Sequence, residues 1–348
     1  MPSDGHPVVA TEFLNGNKIR LAQARWTPRR YRCGLQIDSM GTGLQRHAMC
    51  LMLCFVATGA TAQDRGTLEP RALPPLAHPE EPKTPAKQLF GRAPAPTHED
   101  AHVVGFYANG CLAGGVALPT DGPGWQVMRL SRNRNWGHPA LVRFLENLAT
   151  KVHKAGTWNG LLVGDMSQPR GGPMITGHSS HQVGLDADIW LTPMPDHEMT
   201  RLEREETSAT NVVAQDRRDV DPSIWTPGHA AVIKAAARDP RVERIFVNAA
   251  IKKALCRDTS ADRSWMYKVR PYWGHDYHFH VRLYCPADSP ECKSQPPPPS
   301  GDGCGKELDW WFTDAVLHPK PPPVPEKPRP PLTMANLPPA CRHVLAAP

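Results

Sequence analysis

Five of the sixteen histidines in this 348-residue chain fall within two short segments. They are Gly177-His178-Ser179-Ser180-His181-Gln182-Val183-Gly184-Leu185-Asp186-Ala187-Asp188 and His275-Asp276-Tyr277-His278-Phe279-His280. Both set imidazoles among carboxylates and turn formers. On a strand, side chains alternate, so His278 and His280 share one face roughly 7 Å apart while Phe279 packs on the other. Asp188 can supply a hard oxygen, and His181 can supply another nitrogen from across a turn at Gly184. Nitrogen and oxygen donors without thiolate, with one position left to water, form the pattern of a catalytic rather than a structural zinc site. Such an ion lowers the pKa of bound water from about 16 toward 7 and polarises a carbonyl under attack, which implies hydrolysis. A histidine left over after the ligands are assigned suits proton transfer near neutral pH. Alone, a His-x-His on a strand is weak evidence, since exposed or hydrogen-bonded histidines are common. The joint occurrence of the two segments, flanked by His178 and His275, carries the reading.

The elements that must position these groups follow from periodicity. Leu141, Phe144, Leu145, Leu148 and Val152 recur at helical spacing over 139–155, and further helices are expected over 227–237 and 249–255. Strands are expected at 161–163, 185–191, 244–247 and 277–284, the second of them half-buried because Leu185, Ala187, Ile189 and Leu191 alternate with Asp186, Asp188 and Trp190. This order predicts an α+β fold, a single domain over 101–315 with a mainly antiparallel sheet flanked by helices.

Composition limits the alternatives. Residues 1–62 carry a net charge of +4, which leaves only +2 for the remainder of the chain and no basic stripe of the kind nucleic acid requires. In 40–62, Arg46 and His47 precede the apolar run 48–57, and Ala60-Thr61-Ala62 closes the segment in the manner of a secretory signal peptide. The run is too short for a stable membrane span. Cleavage is expected after Ala62, with 1–39 a misassigned extension ahead of a true start at Met40. The 39 prolines concentrate in a lead-in over 63–100, read as extended and weakly ordered, and in a tail over 316–348.

Cleavage would leave six cysteines, Cys111, Cys256, Cys285, Cys292, Cys304 and Cys341, in an oxidising compartment where disulfides persist. No close C-x-x-C pair suggests a thiolate metal cluster. Spacing leaves fifteen pairings open, although Cys285 and Cys292 enclose a short loop and form the natural local bridge.

At these same residues the chain resembles the penicillin-insensitive murein endopeptidases of Gram-negative bacteria. These form part of a wider group of zinc peptidases that includes lysostaphin-type enzymes, D-alanyl-D-alanine carboxypeptidases and the hedgehog domain. The wider signature stands as Ser179, His181, Gly184 and Asp188 with His278-Phe279-His280. The narrower likeness extends through Arg244-Ile-Phe-Val-Asn-Ala-Ala-Ile-Lys-Lys253, Lys268-Val-Arg-Pro271, His280-Val-Arg-Leu283 and Gly301-Asp-Gly-Cys-Gly305.

The resemblance implies periplasmic cleavage of the D-alanyl-meso-diaminopimelyl cross-link of peptidoglycan. His181, Asp188 and His280 would hold the catalytic zinc, and His278 and His275 would act on water and the tetrahedral intermediate. Without a serine nucleophile, penicillin has nothing to acylate. The implied disulfides are Cys111–Cys341, Cys256–Cys304 and Cys285–Cys292. A second zinc, shared across a homodimer interface, would use His178, Asp216 and Asp219, where an aspartate replaces the family's histidine at 219. A D,D-carboxypeptidase and a noncatalytic zinc-bearing wall-binding module are the alternatives within the same resemblance.

Overall fold

The computed structural model describes residues 65–320 and 329–348, together with a small separate unit in which Phe13–Leu14 pairs antiparallel with Asn17–Lys18. The expected extension and signal peptide lie outside the described residues apart from that pair. No helix among the described residues is long and apolar enough to cross a membrane.

The main unit begins with a hairpin, β1 (His102–Phe106) and β2 (Asn109–Ala113). The principal sheet takes β3 (Asp121–Gly122), β4 (Trp125–Val127), β5 (Leu161–Val163), β6 (Asp186–Trp190), β7 (Val242–Val247), β8 (Val269–Pro271) and β9 (His278–Leu283). Their spatial order is β8-β7-β9-β6-β5-β4-β3. Pairing is antiparallel except for β7 with β8 and β4 with β5, so the α+β expectation holds and the mainly antiparallel sheet is mixed toward its two sides.

Helices α1 (Pro139–Lys154), α2 (Arg201–Glu206), α3 (Pro227–Ala237) and α4 (Ala249–Asp258) accompany this sheet. The His138 imidazole accepts from the Ala140 amide at the start of α1, and Pro139 occupies the first turn, where its missing N–H costs nothing. The predicted apolar stripe of α1 is buried and joins Phe279, Ile245, Val281, Leu185 and Ile189 in one core.

Strand β6 departs from its half-buried expectation, because all five of its residues are buried. The period-2 alternation is real, but the face carrying Asp186, Asp188 and Trp190 is covered too. Its register sets Asp188 opposite His280 and Asp186 opposite Arg282, so polar side chains cover polar side chains.

The lead-in departs from its expected weak order, and both Pro-rich ends contribute packed residues. Within the lead-in, a short helix (Ala86–Phe90) buries Ala86 and Phe90 in a small core with Val104, Cys111, Leu337, Cys341 and Val344. Helix α5 (Ala340–Ala346) supplies the last two, and the Ala86 amide donates to the Leu332 carbonyl at 2.7 Å. Apolar residues scattered among the prolines, too few to show a period, are enough to dock both ends. The six cysteines of the described residues pair as Cys111–Cys341, Cys256–Cys304 and Cys285–Cys292, each with Cα atoms 5.7 Å apart.

Helix α4 buries an ionisable side chain. Lys252 is 0% exposed and its ammonium donates to the Met266 and Asp302 carbonyls, tying the Cys304 loop to the helix. Burial, helped by the nearby Arg270, pushes its pKa down to about 7, whereas in the unfolded chain it keeps the ordinary lysine value. Between those two values the unfolded state binds the extra proton, so this group's contribution to stability rises as pH increases above about 7. Denaturant midpoints at pH 7 and pH 9 are expected to show a rise in the wild type that Lys252→Met removes; an equal rise in both proteins would refute the assignment.

Candidate metal centre

Strands β6 and β9 bring the two histidine-rich segments together. Asp188 Oδ1 lies 3.2 Å from His280 Nδ1, 3.4 Å from His181 Nε2 and 3.5 Å from His278 Nε2. Its other oxygen lies 3.5 Å from His178 Nδ1. His275 completes the group, with its ring centroid 4.9 Å from that of His278 and 5.8 Å from that of His280. Four of the five histidines therefore meet at one carboxylate, and the fifth, His275, packs against two of them.

His181 reaches the site from a loop, not a strand. It is fully buried with a left-handed φ of 65°, and its amide donates to Asp186 Oδ2 at 3.1 Å. Gly184 closes the same loop at φ 67°, and a Cβ there would come within 2.6 Å of Leu112 and 2.9 Å of the His138 amide nitrogen. Only glycine meets both demands. His275 is likewise left-handed, at φ 55° after Gly274 at φ 69°. Asn248 holds that turn, its side chain donating to the Gly274 carbonyl and its amide to the His275 carbonyl, both at 3.0 Å.

Several residues beyond those predicted support the centre. Asp186 is fully buried, accepts from Arg282 Nε at 2.9 Å and faces His280 Nε2 at 3.2 Å. Burial would raise its pKa, but the Arg282 guanidinium and His280 hold it far below the carboxylate range. Asp165 accepts from Arg132 at 3.0 Å and Arg134 at 2.9 Å and meets His178 Nε2 at 3.0 Å. Asp186 was within sight of the sequence reading through its alternation with Asp188. Asp165 follows Gly164 after β5 and gave no signal of its own.

The electrostatics are those of a buried carboxylate among imidazoles. Burial opposes the charge of Asp188, yet His278, His181 and His178 hold its pKa well below the usual value. His278 is pushed down to about 4, first by burial, and His275 is lowered by burial and by the two histidines beside it. His280 moves the other way: burial disfavours its charge, but Asp186 and Asp188 raise its pKa.

His275 Nδ1 lies 2.8 Å from the Trp273 carbonyl, which can only accept, so the neutral ring keeps its proton there and presents Nε2 as a base. His181 Nδ1 and Nε2, Asp188 Oδ1, His278 Nδ1 and His280 Nε2 are buried without a well-formed hydrogen bond. Buried donors and acceptors are normally paired. Of these, His181 Nε2 and Asp188 Oδ1 face each other with His280 Nδ1 beside them; an ion there would account for that pair, and the donor set fits a metal.

The expected ligands His181, Asp188 and His280 are adjacent. The tightest three-residue cluster among the described residues, however, is His178, His181 and Asp188, whose potential ligand atoms all lie within 4.8 Å of one another. His178 thus sits at the same centre, between Asp165 and Asp188. Asp216 and Asp219 are occupied elsewhere: Asp216 accepts from the Arg218 amide at 3.0 Å, and Asp219 pairs with Arg257 at 2.8 Å and Lys253 at 3.3 Å. As ligands across a subunit interface they would have to give up these partners.

A mixed sheet that gathers imidazoles around a buried carboxylate defines a hydrolase-type centre with a donor set compatible with a metal ion. The sequence pattern of the penicillin-insensitive murein endopeptidase family matches residues 103–346. The penicillin-insensitive murein endopeptidase of Klebsiella pneumoniae is 47% identical over 253 residues, covering 72% of this chain and 88% of that protein. That of Haemophilus influenzae is 47% identical over 224 residues, covering 64% and 77%, and that of Citrobacter koseri is 45% identical over 251 residues, covering 72% and 88%. The chain belongs to the penicillin-insensitive murein endopeptidase family and is a peptidase.

Arg282 is the partner on which the second carboxylate depends. Removing one member of a buried ion pair costs about 3–5 kcal/mol because the other charge is stranded. Arg282→Ala should therefore lower the unfolding free energy by an amount in that range in urea titrations, and a loss below about 1 kcal/mol would show that Asp186 has no need of the guanidinium.

Proposed function

We propose that this member of the murein endopeptidase family is zinc-dependent and hydrolyses the D-alanyl-meso-diaminopimelyl cross-link of peptidoglycan in the periplasm, after export through the signal segment at 40–62. The supporting observation is the convergence of four imidazole nitrogens on the buried carboxylate of Asp188, whose Oδ1 and the facing His181 Nε2 have no well-formed hydrogen bond. His181, Asp188 and His280 would hold the zinc, with His178 close enough to join them. All six cysteines of the described residues are in disulfides, so the donor set there is imidazole and carboxylate, as in catalytic zinc sites.

Zinc, when bound, supplies Lewis acidity toward the scissile carbonyl and activates water at neutral pH. The protein's own groups do the rest. Asp186 faces the outer nitrogen of His280 while its inner nitrogen faces Asp188, and this carboxylate–imidazole arrangement orients a ligand ring and raises its basicity. His278 and His275, both with lowered pKa values, are neutral at pH 7. Each can take a proton from the attacking water and return one to the leaving amine. Asn248 and the Trp273 carbonyl fix His275 so that its free nitrogen keeps one direction.

The test is turnover of cross-linked muropeptide dimers by the purified protein, with and without chelator and penicillin. Activity should vanish with chelator, return with zinc and ignore penicillin. His181→Ala and Asp188→Ala should lose metal and activity together. His278→Ala should retain metal and lose about 10²–10⁴ in turnover, the usual worth of a positioned acid or base. Full turnover by His278→Ala would overturn the assignment of roles, and release of free D-alanine from monomeric pentapeptide in place of dimer cleavage would convert the reading to a carboxypeptidase.

A further inference from the structure

Beside the histidine cluster lies an aromatic surface that the hydrolytic steps do not use. Trp310 and Trp311, in the single turn Trp310–Phe312, have ring centroids 5.2 Å apart. Trp273 joins them at 5.0 Å from Trp311 and 6.4 Å from Trp310. Trp310 is 46% exposed, and the other two are half-buried. Three indoles meeting at a solvent-facing surface are costly to leave uncovered, and such clusters mark binding sites.

The surface is built and held. Arg270 pairs with Glu307 at 2.9 Å and donates to the Pro299 carbonyl at 2.6 Å, Leu308 is buried beneath the turn, and the Cys256–Cys304 disulfide fastens the preceding loop to α4. Lys253 caps Phe312 from 5.3 Å. Its link to the candidate centre is direct: the Trp273 carbonyl is the partner of His275 Nδ1, and only Gly274 separates the two residues.

We propose that Trp273, Trp310 and Trp311 form a shelf for a sugar ring of the murein glycan strand, seated while the peptide cross-link lies against Asp188 and its histidines. This inference rests on the murein endopeptidase reading and names the second part of the same substrate. The chemistry favours a saccharide over the peptide. The cross-link consists of alanine methyls and a polar diamino acid, with no bulky apolar side chain to cover three indoles. A pyranose presents a flat C–H face to an indole and hydroxyls to water and to the indole N–H, the mixed contact for which tryptophan is suited. An anionic lipid surface is disfavoured, because Glu307, Asp309 and Asp314 are exposed on the same stretch of chain.

The test compares wild type, the double variant Trp310→Ala/Trp311→Ala and the conservative Trp310→Phe, with metal content and circular dichroism confirming that each is folded and loaded. Trp273 is left intact because of its bond to His275. Binding is read by tryptophan fluorescence with peptide-free glycan strands, and turnover is read on cross-linked peptide dimers with and without their disaccharides.

The wild type is expected to bind the strands and to show a KM about tenfold lower for the sugar-bearing dimer, the scale of one good aromatic contact. The double variant should lose both effects while turning over sugar-free dimer at the wild-type rate, and Trp310→Phe should restore part of the difference. Absence of glycan binding by the wild type, or an equal loss on sugar-free dimer in the double variant, would overturn the shelf. If the wild type cleaves neither dimer, the endopeptidase reading fails, while the glycan titration still decides the shelf.

Discussion

A carboxylate removed from water is the constraint around which this protein is arranged. Asp188 is 4% exposed, and burying an isolated charge is prohibitively costly unless partners replace the lost solvent. Four imidazoles lie within 3.5 Å of its oxygens, and three of them, His181, His278 and His280, are buried in turn. Three histidines of the centre have support of their own. Asp186 with Arg282 stands behind His280, Asp165 with Arg132 and Arg134 stands behind His178, and the Trp273 carbonyl stands behind His275. The result is a layered polar interior in which the outer ion pairs make the inner group tolerable.

That interior is positioned by two kinds of backbone. Strands β6 and β9 hold Asp188, His280 and His278 by register, which a ladder fixes more firmly than any loop. His181 and His275 come instead from turns held in left-handed conformations. Such conformations cost of order 1–3 kcal/mol and persist only where surroundings enforce them. Here the enforcement is visible, through the bond of the His181 amide to Asp186 and the grip of Asn248 on the turn at Gly274. Strain at these two residues marks the places where side-chain position matters more than local stability.

The periphery follows a different logic. The family match runs to residue 346 and so includes α5, in agreement with the docking of that helix against the β1–β2 hairpin and the lead-in. Cys111–Cys341 closes this small satellite core, which by itself buries few apolar residues. A disulfide limits the freedom of the unfolded chain most where the loop it closes is long. In an exported protein such a bridge can hold what a few side chains cannot.

Much of this was legible in the residues themselves. Helix α3 and strand β5 lie at the bounds expected for them, because a proline-led run of alanine-rich sequence and a short aliphatic run are local properties. The facing of His278 and His280 follows from alternation along one strand. What the letters could not convey was pairing between distant segments. The register that sets Asp188 against His280 buries the polar face of β6, which alternation alone had placed half in solvent. Asp165 and Arg282 acquire meaning only through neighbours 13 and 96 residues away. The packing of Pro-rich ends depends on isolated apolar residues with no period to reveal them. Composition and spacing determined which chemistry this chain could attempt; the tertiary structure decided which groups share one buried volume, because burial and hydrogen-bond partnership are properties of the assembled core.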